Sequence, residues 1–150
     1  MAETDPHAVE VLNGLLQSAL DSADGFRKAA DLVRNPAFKA LFTERAGVRD
    51  GLGGEIEAEV RSFGGEPVAG GSVLAGAHRA FVQVRDLIAH GSDKAVVEEV
   101  ARAEDYLRLR FDAAAADALL PAPAHDLAAR AGQALKAEHA EIVTLRDQFR

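Results

Sequence analysis

The sequence predicts an all-α fold: a single domain over residues 1–150, built as a four-helix bundle whose second and third long helices are joined by a long helical crossover. Three observations predict it. Apolar residues recur every three or four positions through most of the chain, the pattern of helices that bury one stripe. Helix-capping and helix-breaking residues divide that pattern into pieces of bundle length. Finally, 48% of the chain is hydrophobic but only 5% is aromatic, with no Trp. A core assembled from Ala, Leu, Val and seven Phe suits closely packed helices. At 150 residues one core is the default and no staples are needed.

The first long helix carries Val9, Leu12, Leu16, Ala19, Ala23, Phe26, Ala30 and Val33 in unbroken steps of three and four. It ends at Asn35-Pro36, an N-cap followed by proline at the first helical position, so the second helix starts with almost no linker. Such a junction implies antiparallel neighbours. The second helix places Phe38, Leu41, Val48, Leu52, Ile56, Val60 and Phe63 on one stripe, with Arg45 where an apolar residue is expected. Gly64-Gly65-Glu66-Pro67 stops it. Gly51, Gly53 and Gly54 interrupt it in mid-course, each costing about 0.8–1.0 kcal/mol relative to alanine. They read as a close approach of a neighbouring backbone or a bend, with a ligand-contacting break as the alternative. A phosphate cradle is disfavoured, because no strand precedes them and no nucleotide fingerprint is matched.

Gly70-Gly71-Ser72 leads into a shorter helix over residues 73–90, striped by Leu74, Ala77, Phe81, Val84 and Ile88. A helix like the second, about 28 residues, is roughly 42 Å long, so the chain must travel back along the bundle if the next long helix is to run parallel to it. A loop and a helix of about 17 residues can do so, which is crossover wiring; a five-helix up-down arrangement is the alternative. Gly91-Ser92-Asp93 caps the following helix, striped by Val97, Val100, Leu107, Phe111, Ala114 and Ala118, with Glu104 in the vacant place. Pro121 and Pro123 separate it from a last helix striped by Ala124, Ala128, Ala131, Leu135, Ile142, Leu145 and Phe149, with Glu138 in the vacant place.

Composition removes several classes of function. No cysteine is present, which excludes disulfides, thiolate zinc sites and cysteine nucleophiles and suits the cytosol. A net charge of -7, with Lys and Arg scattered among acids, argues against nucleic-acid binding. No apolar run is long enough to span a bilayer, and the acidic start does not resemble a secretion signal. The serines lack a nucleophile-elbow context. His7 and His125 stand near helix starts and His90 at a helix end, where capping and dipole roles suffice. His78 lacks the lysine and glycine that follow a phosphotransfer histidine, the next residues being Arg79, Ala80, Phe81 and Val82.

The charges within the seams are the candidates for chemistry, since a carboxylate facing an apolar core is costly unless paired or bound to a cation. Aligning helix midpoints with alternating directions brings Asp24, Arg45, Val48, Arg49, Glu104, Glu138 and His139 into one layer. The weak metal-ligand candidates are Asp24, Glu104, Glu138 and His139, with iron or manganese as the ions that carboxylate and imidazole donors suit. A di-metal centre of this kind takes one Glu from each of two helices and Glu-x-x-His from each of the others. This chain departs from it: Gly47 stands three residues after Glu44, Ala58 three after Glu55, and Lys136 three before His139. Arg45 and Arg49 also lie close to where cations would sit. The readings left open are a metal centre, a degenerate single-metal site, a buried arginine–carboxylate cluster, and charges that snorkel outward. If Arg45 neutralises Glu104 or Glu138, its loss costs on the order of 3–5 kcal/mol.

Three stretches carry a family resemblance: residues 12–30, residues 57–67 with 71–81, and residues 98–111. The most specific signals are Phe63-Gly64-Gly65-Glu66-Pro67, Ala77-His78-Arg79 and Ala103-Glu104-Asp105. They resemble a bacterial family of ferritin-like four-helix-bundle proteins, a domain of unknown function. The resemblance implies the ferritin-like bundle and a bacterial origin, and it carries no activity, catalytic residue or cofactor with it. The expectation is a non-catalytic bundle, a stress-associated binding or oligomerisation module, for which Ala-rich helical faces also permit a homodimer. The alternative is an iron or manganese storage or oxidase protein with a degenerate carboxylate site.

Overall fold

A computed structural model describes residues 4–68 and 92–148. Among them are four helices and no strands: α1 (Pro6–Leu32), α2 (Pro36–Ser62), α3 (Asp93–Ala115) and α4 (Ala122–Asp147). The helix over residues 73–90, with its lead at Gly70-Gly71-Ser72, His78 and His90, lies outside the described residues, as does Phe149. None of the described helices is long and apolar enough to cross a membrane.

The helix ends are built from the residues that mark them in the sequence. Asp5 caps α1 by accepting from the Ala8 amide at 3.1 Å. Asn35 caps α2 by accepting from Ala37 at 2.8 Å, with Pro36 following. Ser92 caps α3 by accepting from Ala95 at 3.2 Å. Satisfying the orphan amides of the first turn in this way is worth about 1 kcal/mol per cap. α2 closes in a Schellman turn: the Gly64 amide donates to Arg61 O and the Gly65 amide to Val60 O, both at 3.0 Å, with Gly64 at φ +81°. Glycine is needed at both positions. A Cβ on Gly64 would also come within 2.8 Å of Thr4 Oγ1, and one on Gly65 within 2.5 Å of Val9 Cγ1.

Contacts between helix ends fix the directions. The Asp5 amide donates to Phe63 O and His7 Nε2 lies 2.6 Å from Asp117 Oδ2, so the start of α1 meets the ends of α2 and α3. At the other end, the Arg34 and Asn35 amides each donate to the Asp93 carboxylate at 2.9 Å. Hence α1 is antiparallel to both α2 and α3, and α2 runs parallel to α3. The end of α2 and the start of α3 therefore stand at opposite ends of the bundle. The closest packing is of α1 on α2 and α3 on α4; α1 meets α3 less extensively, and α2 barely meets α4.

The core divides in two. One apolar cluster, around Leu12, Leu16, Ile56, Val60, Phe111, Leu127 and Leu135, fills the end where α1 begins. Another, around Phe26, Phe42, Val96, Val97 and Ile142, fills the end where α1 finishes. The stripe of α1 is buried as its spacing predicts, Val9 alone being half-buried. In α2, Phe38, Arg45, Ile56 and Val60 of the expected stripe are buried, but in mid-course the buried face is displaced from the expected one. Phe42, Ala46, Arg49 and Gly53 are buried, Leu41, Leu52 and Phe63 are half-buried, and Val48 is 43% exposed. In α3, Ala118 falls beyond the helix end and is exposed. α2 continues helical through its mid-course glycines. Only Gly53 sits against a neighbour, where a Cβ would lie 3.1 Å from Leu20 Cδ2; at Gly51 and Gly54 it would meet open space. Close approach to α1 accounts for Gly53.

Candidate functional site: a buried guanidinium between two carboxylates

Between the two apolar clusters lies a layer whose charges come from α2, α3 and α4 and to which α1 adds Ser22 and Phe26. Its centre is Arg49 of α2, 1% exposed. One terminal nitrogen, Nη2, donates to Glu104 Oε2 of α3 and to Glu138 Oε2 of α4, both at 2.6 Å. An Nη carries two protons, so one serves each carboxylate, and charge-assisted bonds of this length are strong. From α1, the Phe26 ring lies 5.6 Å from Arg49 Cζ, a cation–π distance, and the Ser22 hydroxyl donates to Glu104 Oε1 at 3.4 Å. Phe26 is packed in turn on Phe42, with ring centroids 6.0 Å apart.

Arg45 stands one turn before Arg49 and is also buried, but its bonds lead outward. Its Nη2 donates to Glu141 Oε2 at 2.6 Å, and Nη1 donates to the Glu138 carbonyl at 3.4 Å, with Glu138 Oε2 3.7 Å away. The Glu141 side chain is 64% exposed. The principal counter-charge of the core carboxylates is therefore that of Arg49, while Arg45, 3.7 Å from Glu138 Oε2 and with a smaller effect on Glu104, closes the rim of the layer.

Glu104 is as deeply placed as Arg49. Burial pushes its carboxyl above the ordinary glutamate range, the adjacent Arg49 charge and hydrogen bond pull it back in part, and Glu138 adds a smaller upward push. Of the four weak metal-ligand candidates, the fold brings Glu104 and Glu138 together about Arg49 and leaves the others aside. Asp24 is half-buried on α1 and makes none of these contacts. His139 lies beside Asp105, whose carboxyl is held below its usual range chiefly by the Arg108 hydrogen bond, with a minor contribution from His139. Its Nδ1 is buried without a hydrogen-bond partner among the described residues.

The donor set does not fit the paired metal ions of a ferritin-type layer. Two carboxylates converge, but what they converge on is a guanidinium. Among the described residues no group of three or more His, Asp and Glu side chains is arranged to hold a metal ion. His7 and His125, the other described histidines, lie at helix starts. His7 pairs with Asp117 at 2.6 Å and His125 with Asp126 at 3.3 Å.

Two clefts flank the layer. One, of about 280 Å³, opens where α2 and α4 barely meet and reaches Arg49 and Glu138. The other, of about 230 Å³, lies between α1 and α3 and reaches Glu104. Neither is marked in the sequence, because a cleft is made by two helices that are distant along the chain. Arg49 as the centre of the site had a faint signal: in the layer of charges it stands level with Glu104 and Glu138, next to the apolar Val48 that the stripe favoured.

No curated protein matches the chain. Residues 7–117, which take in α1, α2, α3, Arg49 and Glu104 but not Glu138, match the family described as Domain of unknown function (DUF2383), and the chain belongs to that family.

Proposed function

We propose that the chain is a non-catalytic, ferritin-like bundle of bacterial origin that acts in the cytosol by binding or self-association, as a stress-associated module, with Arg49 standing where a ferritin-type layer carries metal ions. The observation that supports this reading is the single Arg49 Nη2 held at 2.6 Å from both Glu104 and Glu138. A guanidinium supplies fixed positive charge without redox or Lewis-acid chemistry, and it cannot be titrated away. The parallel course of α2 and α3 supports the crossover wiring. Self-association is favoured by Tyr106 and Leu109 of α3, which are 61% and 52% exposed.

Elemental analysis tests the reading of the layer. Protein purified without chelator and then exposed to ferrous or manganous ion is expected to retain far less than one metal per chain. Retention of about two metals per chain, as in a di-metal bundle, and their loss in Glu104→Ala, would establish the storage or oxidase alternative instead. Sedimentation equilibrium of the wild type and of Leu109→Glu tests self-association, a dimer abolished by the substitution being the expected result.

A further inference from the structure

We infer that the cleft between α2 and α4 binds a small uncharged molecule with a compact apolar body and one hydrogen-bond-accepting oxygen. The cleft exists because α2 and α4 barely meet. At about 280 Å³ it is larger than the roughly 150 Å³ apolar cavity that holds a benzene molecule, so a substituted ring has room. Part of the α2 stripe that the sequence assigns to the core lines this cleft, namely the exposed Val48 and the half-buried Leu52. Leu127, Ala131 and Leu135 of α4 supply the other wall. Mostly apolar walls with a few polar groups to fix orientation are the usual make-up of a small-molecule pocket.

The charges along the cleft are matched two by two, which selects a neutral ligand. Arg130 of α4 pairs with Glu55 of α2 at 3.9 Å, and Glu138 is bonded to Arg49 at 2.6 Å. An ion entering the cleft would give up its hydration without gaining an unpaired counter-charge, a cost that an uncharged molecule avoids.

The polar group left over is a donor. Arg49 is buried and lines this cleft rather than the one between α1 and α3. Its Nη2 serves Glu104 and Glu138, but its Nε is buried with no hydrogen-bond partner among the described residues. A buried donor in that condition is costly until an acceptor meets it. The Nε carries one proton and accepts nothing, so its complement is a single acceptor such as a carbonyl oxygen, and a bond from a guanidinium belongs to the stronger class. Ligand binding in this cleft goes beyond the reading of the central layer and is measured separately from it: metal content tests the one and ligand titration the other.

Acetophenone is the probe, titrated at neutral pH into the isotopically labelled full chain and followed by NMR, which resolves arginine Nε–H signals as well as backbone amides. Saturable shifts centred on residues 48–55 and 127–138 are expected, with a Kd of about 1 mM, the range open to a ligand of this size. The Arg49 Nε–H signal should move downfield as the carbonyl accepts from it. α-Methylstyrene, which carries a methylene in place of that oxygen, should leave the signal without the downfield shift. Benzoate and benzylamine should each bind about tenfold or more weakly than acetophenone. The double variant Gly51→Leu with Ala134→Leu leaves the ion pairs in place: both positions are exposed and line the cleft from its two sides, and a Cβ at Gly51 meets nothing within 4 Å. It should abolish binding while helical circular dichroism is unchanged. Failure of acetophenone to saturate, an Arg49 signal that does not move or moves equally with α-methylstyrene, equal binding of either ion, or undiminished binding to the folded double variant would each overturn the inference.

Discussion

α1 gives Leu12 and Leu16 to one apolar cluster and Phe26 and Ala30 to the other, while between the clusters the bundle closes on Arg49, Glu104 and Glu138. The apolar ends are held by burial that is roughly proportional to area and tolerates change of shape within limits. The middle is held by pairing. Its parts are costly alone: each charge removed from water has lost several kcal/mol of solvation that only its partner returns. The ends therefore fail gradually under substitution, whereas the middle fails when one member is missing. A second contrast sits inside the layer, where two arginines one turn apart on α2 share Glu138 but differ in their other partner. Arg49 bonds carboxylates whose side chains are 3% and 18% exposed, whereas the short bond of Arg45 is to one that is 64% exposed, with Glu138 Oε2 3.7 Å away.

The most severe test of the contrast is Arg49→Ala, which leaves two core carboxylates facing each other. Urea denaturation should show a loss of about 3–5 kcal/mol, the usual cost of breaking a buried pair from one side. Replacing the whole triad, as Arg49→Met with Glu104→Leu and Glu138→Leu, should recover most of that loss and can exceed the wild type by about 1–4 kcal/mol. If Arg49→Ala were no more costly than an exposed substitution, the layer would be hydrated and the contrast void.

A smaller effect concerns pH. The folded chain holds the Glu104 proton more tightly than the unfolded chain does, since burial raises this carboxyl despite Arg49. Its contribution to stability is therefore fullest below the ordinary glutamate range and declines as pH rises through the elevated value. Denaturation midpoints of the wild type and Glu104→Gln, compared from acid to neutral pH, should show this decline in the wild type alone. Asp105 and Asp117, whose carboxyls are lowered, slope the opposite way in both proteins and cancel in the difference.

Arg45→Ala should be the mildest. Pairs with exposed carboxylates contribute about 0–1 kcal/mol, and some packing of the arginine stem is lost as well. A total near 1 kcal/mol is expected by urea denaturation, compared with the 3–5 kcal/mol that applies if Arg45 is the core neutraliser. A loss as large as that of Arg49→Ala would show that the two arginines share one role.

Among the described residues, helix existence and helix ends were legible because their causes are local. Asn35 with Pro36, Gly64 with Gly65, and Ser92 each satisfy or release backbone groups within a few residues, so the sequence around them suffices. The buried stripe of α1 was legible for a related reason: it is continuous and apolar, and only one face of that helix can be buried. α2 was different. Leu41 and Phe42, Val48 and Arg49, and Leu52 and Gly53 are adjacent pairs offering two overlapping faces about 100° apart, one of them more apolar by composition. Between Phe38 and Ile56, which are buried as the apolar stripe predicts, the folded chain buries the less apolar one, as Glu104 and Glu138 approach from α3 and α4 and Gly53 lets α1 come close.

The sequence by itself determined that this chain is helical, where its helices are punctuated, and that charges interrupt three of its seams. Only the tertiary structure decided which charge those seams share, that Arg49 rather than Arg45 lies between the carboxylates, and that clefts open beside the layer. Caps and apolar periods act through neighbours along the chain, whereas an ion pair between residues 55 positions apart depends on which faces of separate helices are brought together.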